Sequence, residues 1–77
     1  MFGKVLKEAR QKAGLTQEKL AFKADLDRTY ISLMERGQRS PTLDVLLRLC
    51  EALELLPSEL MKELESASKI GKPKRRR

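Results

Sequence analysis

Arg28, Thr29, Ser32 and Arg36 recur at helical spacing within "DRTYISLMER". On a helix turning about 100° per residue, Thr29, Ser32, Leu33 and Arg36 point to one side. Arg28 stands in the exposed first turn, while Ile31, Met34 and Glu35 point to the other side. An arginine fork can donate two parallel hydrogen bonds to a guanine edge. A hydroxyl can bond a base or a phosphate, and an aliphatic group can meet a thymine methyl. The same residues also suit a plain solvated surface helix, so the elements around them must separate the two readings.

The composition narrows the chemistry further. A chain of 77 residues holds one small domain and no deep substrate cleft. There is no histidine and one cysteine, Cys50, so an internal disulfide and a Cys/His zinc site are excluded. No metal or other cofactor is expected. The chain has no glycine-rich phosphate loop and no nucleophile beside an evident base, so no enzyme is expected. Cys50 reads as a small core residue. No run approaches the roughly 20 apolar residues of a membrane span. The N-terminus lacks a signal layout, and the expected location is the cytoplasm, at the nucleoid. The net charge of +6 is divided unevenly. Residues 1–39 hold nine Lys/Arg against five Asp/Glu, residues 40–68 two against six, and residues 69–77 six against none. A basic first half suits a polyanion.

The pattern predicts five short helices and no strand. Phe2, Val5, Leu6, Ala9 and Ala13 form one apolar stripe that Gly14 can end. Thr16 is an N-cap for a second helix, with Leu15 and Leu20 at the spacing of a hydrophobic staple. Leu20, Ala21 and Ala24 give that helix a narrow inner face that permits close packing. Asp25 and Leu26 make a turn, and Asp27 caps the third helix, which Gly37 ends. Thr42 caps the fourth. Its apolar residues spread over an arc of roughly 220°, wider than one core contact needs. Pro57 opens a fifth helix bearing Leu60, Met61, Leu64 and Ala67. Two short helices joined by about three residues, the second presenting a polar face, have helix-turn-helix geometry. Residues 1–68 are expected to form the domain, and "KIGKPKRRR" a disordered basic tail.

The stretch "LTQEKLAFKADLDRTYISLMERGQRSPTLDVLLRLCEALE" resembles the helix-turn-helix family of the lambda and Cro repressors, in its Xre-type branch. The resemblance runs from residue 3 to about residue 62. Within the family, "LDRTYIS" resembles the small controller proteins of restriction–modification systems. The resemblance implies an all-α, five-helix lambda-repressor-like domain whose second and third helices are the motif. It implies that Arg28, Thr29, Ser32 and Leu33 read bases, and that Gln17, Arg36, Gln38, Arg39 and Ser40 contact phosphates. Gln17 would also brace the recognition helix. Tyr30 either reaches a phosphate or packs its ring on the domain, and Leu33 either enters the groove or meets protein. Glu35 matches a position that pairs with the first-helix arginine, here Arg10, as a structural ion pair. Where the family often has glycine in the motif turn, this chain has Asp25.

The implied function is a sequence-specific transcriptional regulator that binds a two-fold operator in double-stranded DNA as a homodimer. About residues 28–36 would read the major groove. Candidate dimer surface is Val45, Leu49, Leu53 and Leu56 with Leu60, Met61 and Leu64, unless the last two helices simply cover one another. RNA polymerase or another partner protein is a further expected contact, and an antitoxin-type autorepressor is a variant of the same function. The reading from another class is a protein-interaction adaptor that holds its partner on the acidic C-terminal helices. The tail is a DNA-binding arm, a cover for the acidic half, or a solubilising end.

Overall fold

The helices of the computed structural model, which describes residues 1–68, follow the periodicity closely. They are α1 (Phe2–Lys12), α2 (Gln17–Ala24), α3 (Arg28–Glu35), α4 (Leu43–Leu53) and α5 (Pro57–Ser68). There is no strand among the described residues. The expected basic tail, residues 69–77, lies outside them.

Each start has a chemical cause. Thr16 Oγ1 accepts from the Lys19 N–H at 3.1 Å, Asp27 Oδ1 from Thr29 at 2.8 Å, and Thr42 Oγ1 from Val45 at 3.1 Å. Each cap satisfies a donor that the helix itself cannot, worth about 1 kcal/mol. Pro57 opens α5, and Glu59 Oε1 accepts from the Leu56 N–H at 2.8 Å, half of a capping box. The ends of α1 to α4 share one device. A left-handed residue lets the next N–H reach back to a carbonyl five residues earlier: Leu15 to Arg10, Leu26 to Ala21, Gln38 to Leu33, and Leu55 to Cys50. The left-handed residues are Gly14, Asp25, Gly37 and Glu54. Glu54 carried no sequence signal for this role.

Leu6, Leu20, Ile31, Met34 and Leu49 lie at the centre, fully buried, and join α1 to α4 in one core. Val5, Cys50 and Leu60 form a second cluster that fastens α5 onto α1 and α4. The wide apolar arc of α4 is thereby explained in part. One side meets Leu20, Ala21 and Ala24 of α2, and the other meets α5. This corrects four residues of the expected dimer surface. Val45, Leu49, Leu53 and Leu60 are buried inside their own protomer and offer no surface to a second copy. Leu56 and Met61 are exposed and Leu64 is half-buried. Ala13 is also exposed, so the α1 stripe stops at Ala9.

Gly3 sets the distance between α1 and α3. A Cβ there would fall 2.5 Å from the Met34 carbonyl oxygen and closer still to that of Glu35. Both are backbone atoms at the end of α3, so relief requires moving a helix. Alanine would gain about 1 kcal/mol in helix propensity at an unhindered site, but overpacking of this kind costs typically 1–3 kcal/mol. The clash wins. Gly3→Ala is expected to lower stability by about 1 kcal/mol or more in chemical denaturation. An unchanged or raised midpoint would show that α1 and α3 separate freely.

Candidate nucleic-acid interface

The α3 helix is held from below by a largely buried ion pair. Arg10 Nε lies 2.6 Å from Glu35 Oε2, and Arg10 Nη2 donates to Glu35 Oε1 at 3.0 Å, a bidentate fork. Arg10 Nη1 donates to the Leu15 carbonyl at 2.9 Å. Gln17 Nε2 donates to the same Glu35 Oε1 at 3.0 Å. One carboxylate at the end of α3 thus joins α1 and the start of α2, and Arg10 extends the link to the loop between them. The two charged side chains are 12% and 4% exposed, so solvent does little to screen them. Burial alone would push the Glu35 carboxyl up. The hydrogen bonds from Arg10 and Gln17, with the nearby Arg10 charge, outweigh burial and hold it below its ordinary 4.5. The same pairing raises Arg10.

A second arginine secures the turn between α2 and α3. Arg48 of α4 donates from Nε to the Ala24 carbonyl at 3.2 Å and from Nη2 to the Asp25 carbonyl. Its guanidinium also lies 3.7 Å from the Asp25 carboxylate and 3.8 Å from Asp44. Asp25 sits at φ 58° and ψ 49°, where a side chain normally costs about 1 kcal/mol or more. Positive charge on the exposed carbonyls at the C-terminal end of α2 offsets that cost. The motif turn therefore keeps its left-handed geometry without glycine.

Above this base the expected DNA-facing residues divide by exposure. Arg28, Thr29, Arg36, Gln38, Arg39 and Ser40 are exposed, and Ser32 and Leu33 are half-buried. The α3 start and the loop after it thus present guanidinium, hydroxyl and amide groups together. Tyr30 is half-buried and packs against the main core, which favours its ring as part of the domain. Gln17 faces Glu35 and has the bracing contact. Residues that sequence reasoning passed over are Gly3, Arg48 and Glu18. Glu18 Oε2 lies 3.2 Å from Arg28 Nε, in a pair 67% and 57% exposed respectively. The helical spacing of Arg28 from Ile31 was legible, but its reach across to α2 was not. Arg48 sits on a helix read only for its apolar residues. Leu43 and Leu47 were also missed as surface, at 71% and 45% exposure.

None of the described helices is long and apolar enough to cross a membrane. No group of three or more acidic or cysteine side chains among the described residues could hold a metal ion. Cys50 is fully buried in the smaller apolar cluster, where burial pushes its thiol up from 9.0 and keeps it protonated. What remains is a close-packed α2–turn–α3 unit whose second helix offers its polar side outward, the form of a helix-turn-helix DNA-binding module.

The chain belongs to the helix-turn-helix family, whose model matches residues 6–60. It is 44% identical over 62 residues to the control protein C.BamHI of Bacillus amyloliquefaciens, covering 79% of this chain and 76% of that protein. The crystal structure of the restriction-modification controller protein C.AhdI from Aeromonas hydrophila superposes with a TM-score of 0.74 at 49% identity, over 77% of this chain and 89% of that one. The controller protein C.Esp1396I, solved as a tetramer with its natural 35 base-pair operator, superposes at 0.79 and 38% identity, over 84% and 86%. Single-residue variants of C.Esp1396I with an arginine, a threonine and a tyrosine replaced at consecutive positions have also been solved. The same three residue types run consecutively here as Arg28, Thr29 and Tyr30.

The Glu35 hub makes a pH-dependent contribution of known sign. Its carboxyl is depressed in the fold, so the stabilisation is complete above the ordinary 4.5 and is lost as pH falls through the lower folded value. Glu35→Gln removes the charge facing the largely buried Arg10, a change that costs up to about 3–5 kcal/mol where such a pair is fully buried. At pH 7 the variant should unfold well before the parent chain, and the gap should narrow as pH falls from 5 to 3. A gap that stays constant over that range would contradict a buried, ionised Glu35.

Proposed function

We propose that the chain is a sequence-specific DNA-binding transcriptional regulator of the controller type, acting in the cytoplasm at the nucleoid. The observation that carries this reading is the exposure of Arg28, Thr29 and Arg36 on a short helix whose opposite side is fixed by Arg10 and Glu35. In this reading α3 enters the major groove. Arg28 and Thr29 meet base edges at its start, with Ser32 and Leu33 further along. Arg36, Gln38, Arg39 and Ser40 hold the backbone, contacts that set register and carry little sequence information. The 38% identical relative solved on its operator supports DNA binding by this chain. In this reading the protein regulates a promoter by occluding or assisting RNA polymerase.

One α3 reads too few base pairs for useful selectivity, so two copies bind a two-fold site with half-sites about 34 Å apart. The surface that joins them is the exposed apolar strip of α4 and α5. Leu43 and Leu47 stand one turn apart on α4, beside a shallow groove lined by Phe2, Leu46, Met61 and Leu64. This replaces the buried α4 residues with their outward neighbours, and it retains Met61 and Leu64. Changing both Leu47 and Met61 to glutamate should yield a folded chain that sediments with the mass of a monomer where the parent sediments as a dimer. A parent chain that is already monomeric at micromolar concentration would overturn the dimer.

Two substitutions test the DNA reading. On a duplex selected from random sequence, Arg28→Ala should cost about 1–3 kcal/mol and relax the preference for guanine at one position per half-site. Arg36→Ala should weaken binding to all duplexes alike and reduce the salt slope by about 1. If both variants bind the selected duplex as the parent does, α3 is not the reader.

A further inference from the structure

Glu18 lies in the first turn of α2, and Arg28 is the first residue of α3. Their side chains meet across the motif turn, Arg28 Nε 3.2 Å from Glu18 Oε2. The other carboxylate near the start of α3 is already committed, since Asp27 Oδ1 caps the Thr29 N–H. The contact is made through Nε, the inner edge of the guanidinium. The outer edge, bearing the two terminal nitrogens, has the parallel donors that match guanine O6 and N7.

As a source of stability the pair is negligible. Both partners are more than half exposed, and such pairs contribute little. Its effect on binding is larger in principle. A carboxylate beside a groove-facing arginine repels phosphate and lowers affinity for every duplex. It also removes much of the freedom of a long side chain, so that ordering Arg28 costs less when guanine is met. The first effect does not depend on sequence, and the second acts only where a guanine is read. The first lowers both affinities alike, and the second raises the ratio of specific to non-specific binding.

We infer that Glu18 is a specificity-setting residue that positions Arg28 for guanine reading. This inference rests on the proposal that Arg28 reads a base. Arg28 makes the contact, and Glu18 acts through it as a positioning residue that touches no base itself.

The test uses the full chain and its Glu18→Gln, Arg28→Ala and doubly substituted forms. Fluorescence anisotropy follows binding to three duplexes: the selected site, the same site with the Arg28-read guanine replaced, and a random sequence. Glu18→Gln should bind the random duplex about two- to fivefold tighter, because one repulsive charge is removed. It should also discriminate the guanine several-fold less well, with the thermal midpoint unchanged. In the Arg28→Ala background, Glu18→Gln should leave discrimination at that position unaltered. The inference is overturned if Glu18→Gln discriminates as the parent does while Arg28→Ala has lost discrimination, and guanine reading by Arg28 then stands. If Arg28→Ala itself discriminates as the parent does, the base-reading assignment fails and the inference fails with it. If Glu18→Asp, which keeps the charge on a shorter arm, restores part of the discrimination lost in Glu18→Gln, charge-dependent positioning is supported. Discrimination no better than that of Glu18→Gln rejects it.

Discussion

The largely buried fork between Arg10 and Glu35 is the constraint on which the proposed DNA-facing surface depends. A recognition helix of eight residues is too short to be stable alone, and its outer side must stay polar. Its inner apolar contribution is limited to Ile31 and Met34 at full burial. Two residues can hold such a helix down without fixing how it is rotated. A bidentate pair is directional, and it fixes the end of α3 to α1 while Gln17 ties the same carboxylate to α2. The buried charges need one another more than the fold needs the pair. A well-packed apolar replacement can match such a pair in stability, so its strongest contribution is to geometry.

Around this fixed point the structure grades from rigid to soft. The pair beneath α3 is nearly closed to solvent, whereas the Arg28–Glu18 pair at its start is more than half exposed. Solvent screening makes the second easy to rearrange. That suits a side chain proposed to leave water for a base edge. At the turn, Arg48 reaches from α4 to the carbonyls of Ala24 and Asp25, so a side chain from outside the motif secures the link between α2 and α3. Gly3 allows α1 to approach the α3 carbonyls, and Leu60 anchors α5 without touching the reading surface. Helices α1 and α4 thus serve as the frame of a two-helix device.

The fold was largely legible because its signals are local. Thr16, Asp27 and Thr42 announced helix starts, and Gly14 and Gly37 announced ends, through groups that act within a few residues. Apolar spacing located the inner faces of the first three helices. The Arg10–Glu35 pair came from family resemblance rather than from periodicity, since 25 residues separate the two in sequence. What was not legible was mostly non-local. The width of the α4 apolar arc was apparent, but not which side faced α2, which faced α5 and which faced outward. Val45, Leu49 and Leu53 were consequently read as surface although they are buried, while Leu43 and Leu47 are exposed. Glu18, Arg48 and Gly3 act across gaps between helices, and their residue types give no hint of the partner. Glu54 adopts a left-handed conformation that a glycine-based rule does not anticipate.

In the proposed complex α3 enters the major groove of two half-sites related by a two-fold axis. Methylation interference on a selected duplex tests it most directly, because one reagent marks guanine N7 in the major groove and adenine N3 in the minor groove. The expected result is interference at guanine N7 in two clusters about 34 Å apart, symmetric about the site centre. Interference confined to adenine N3, or none at guanine N7 in a site that the protein nonetheless selects, would contradict it.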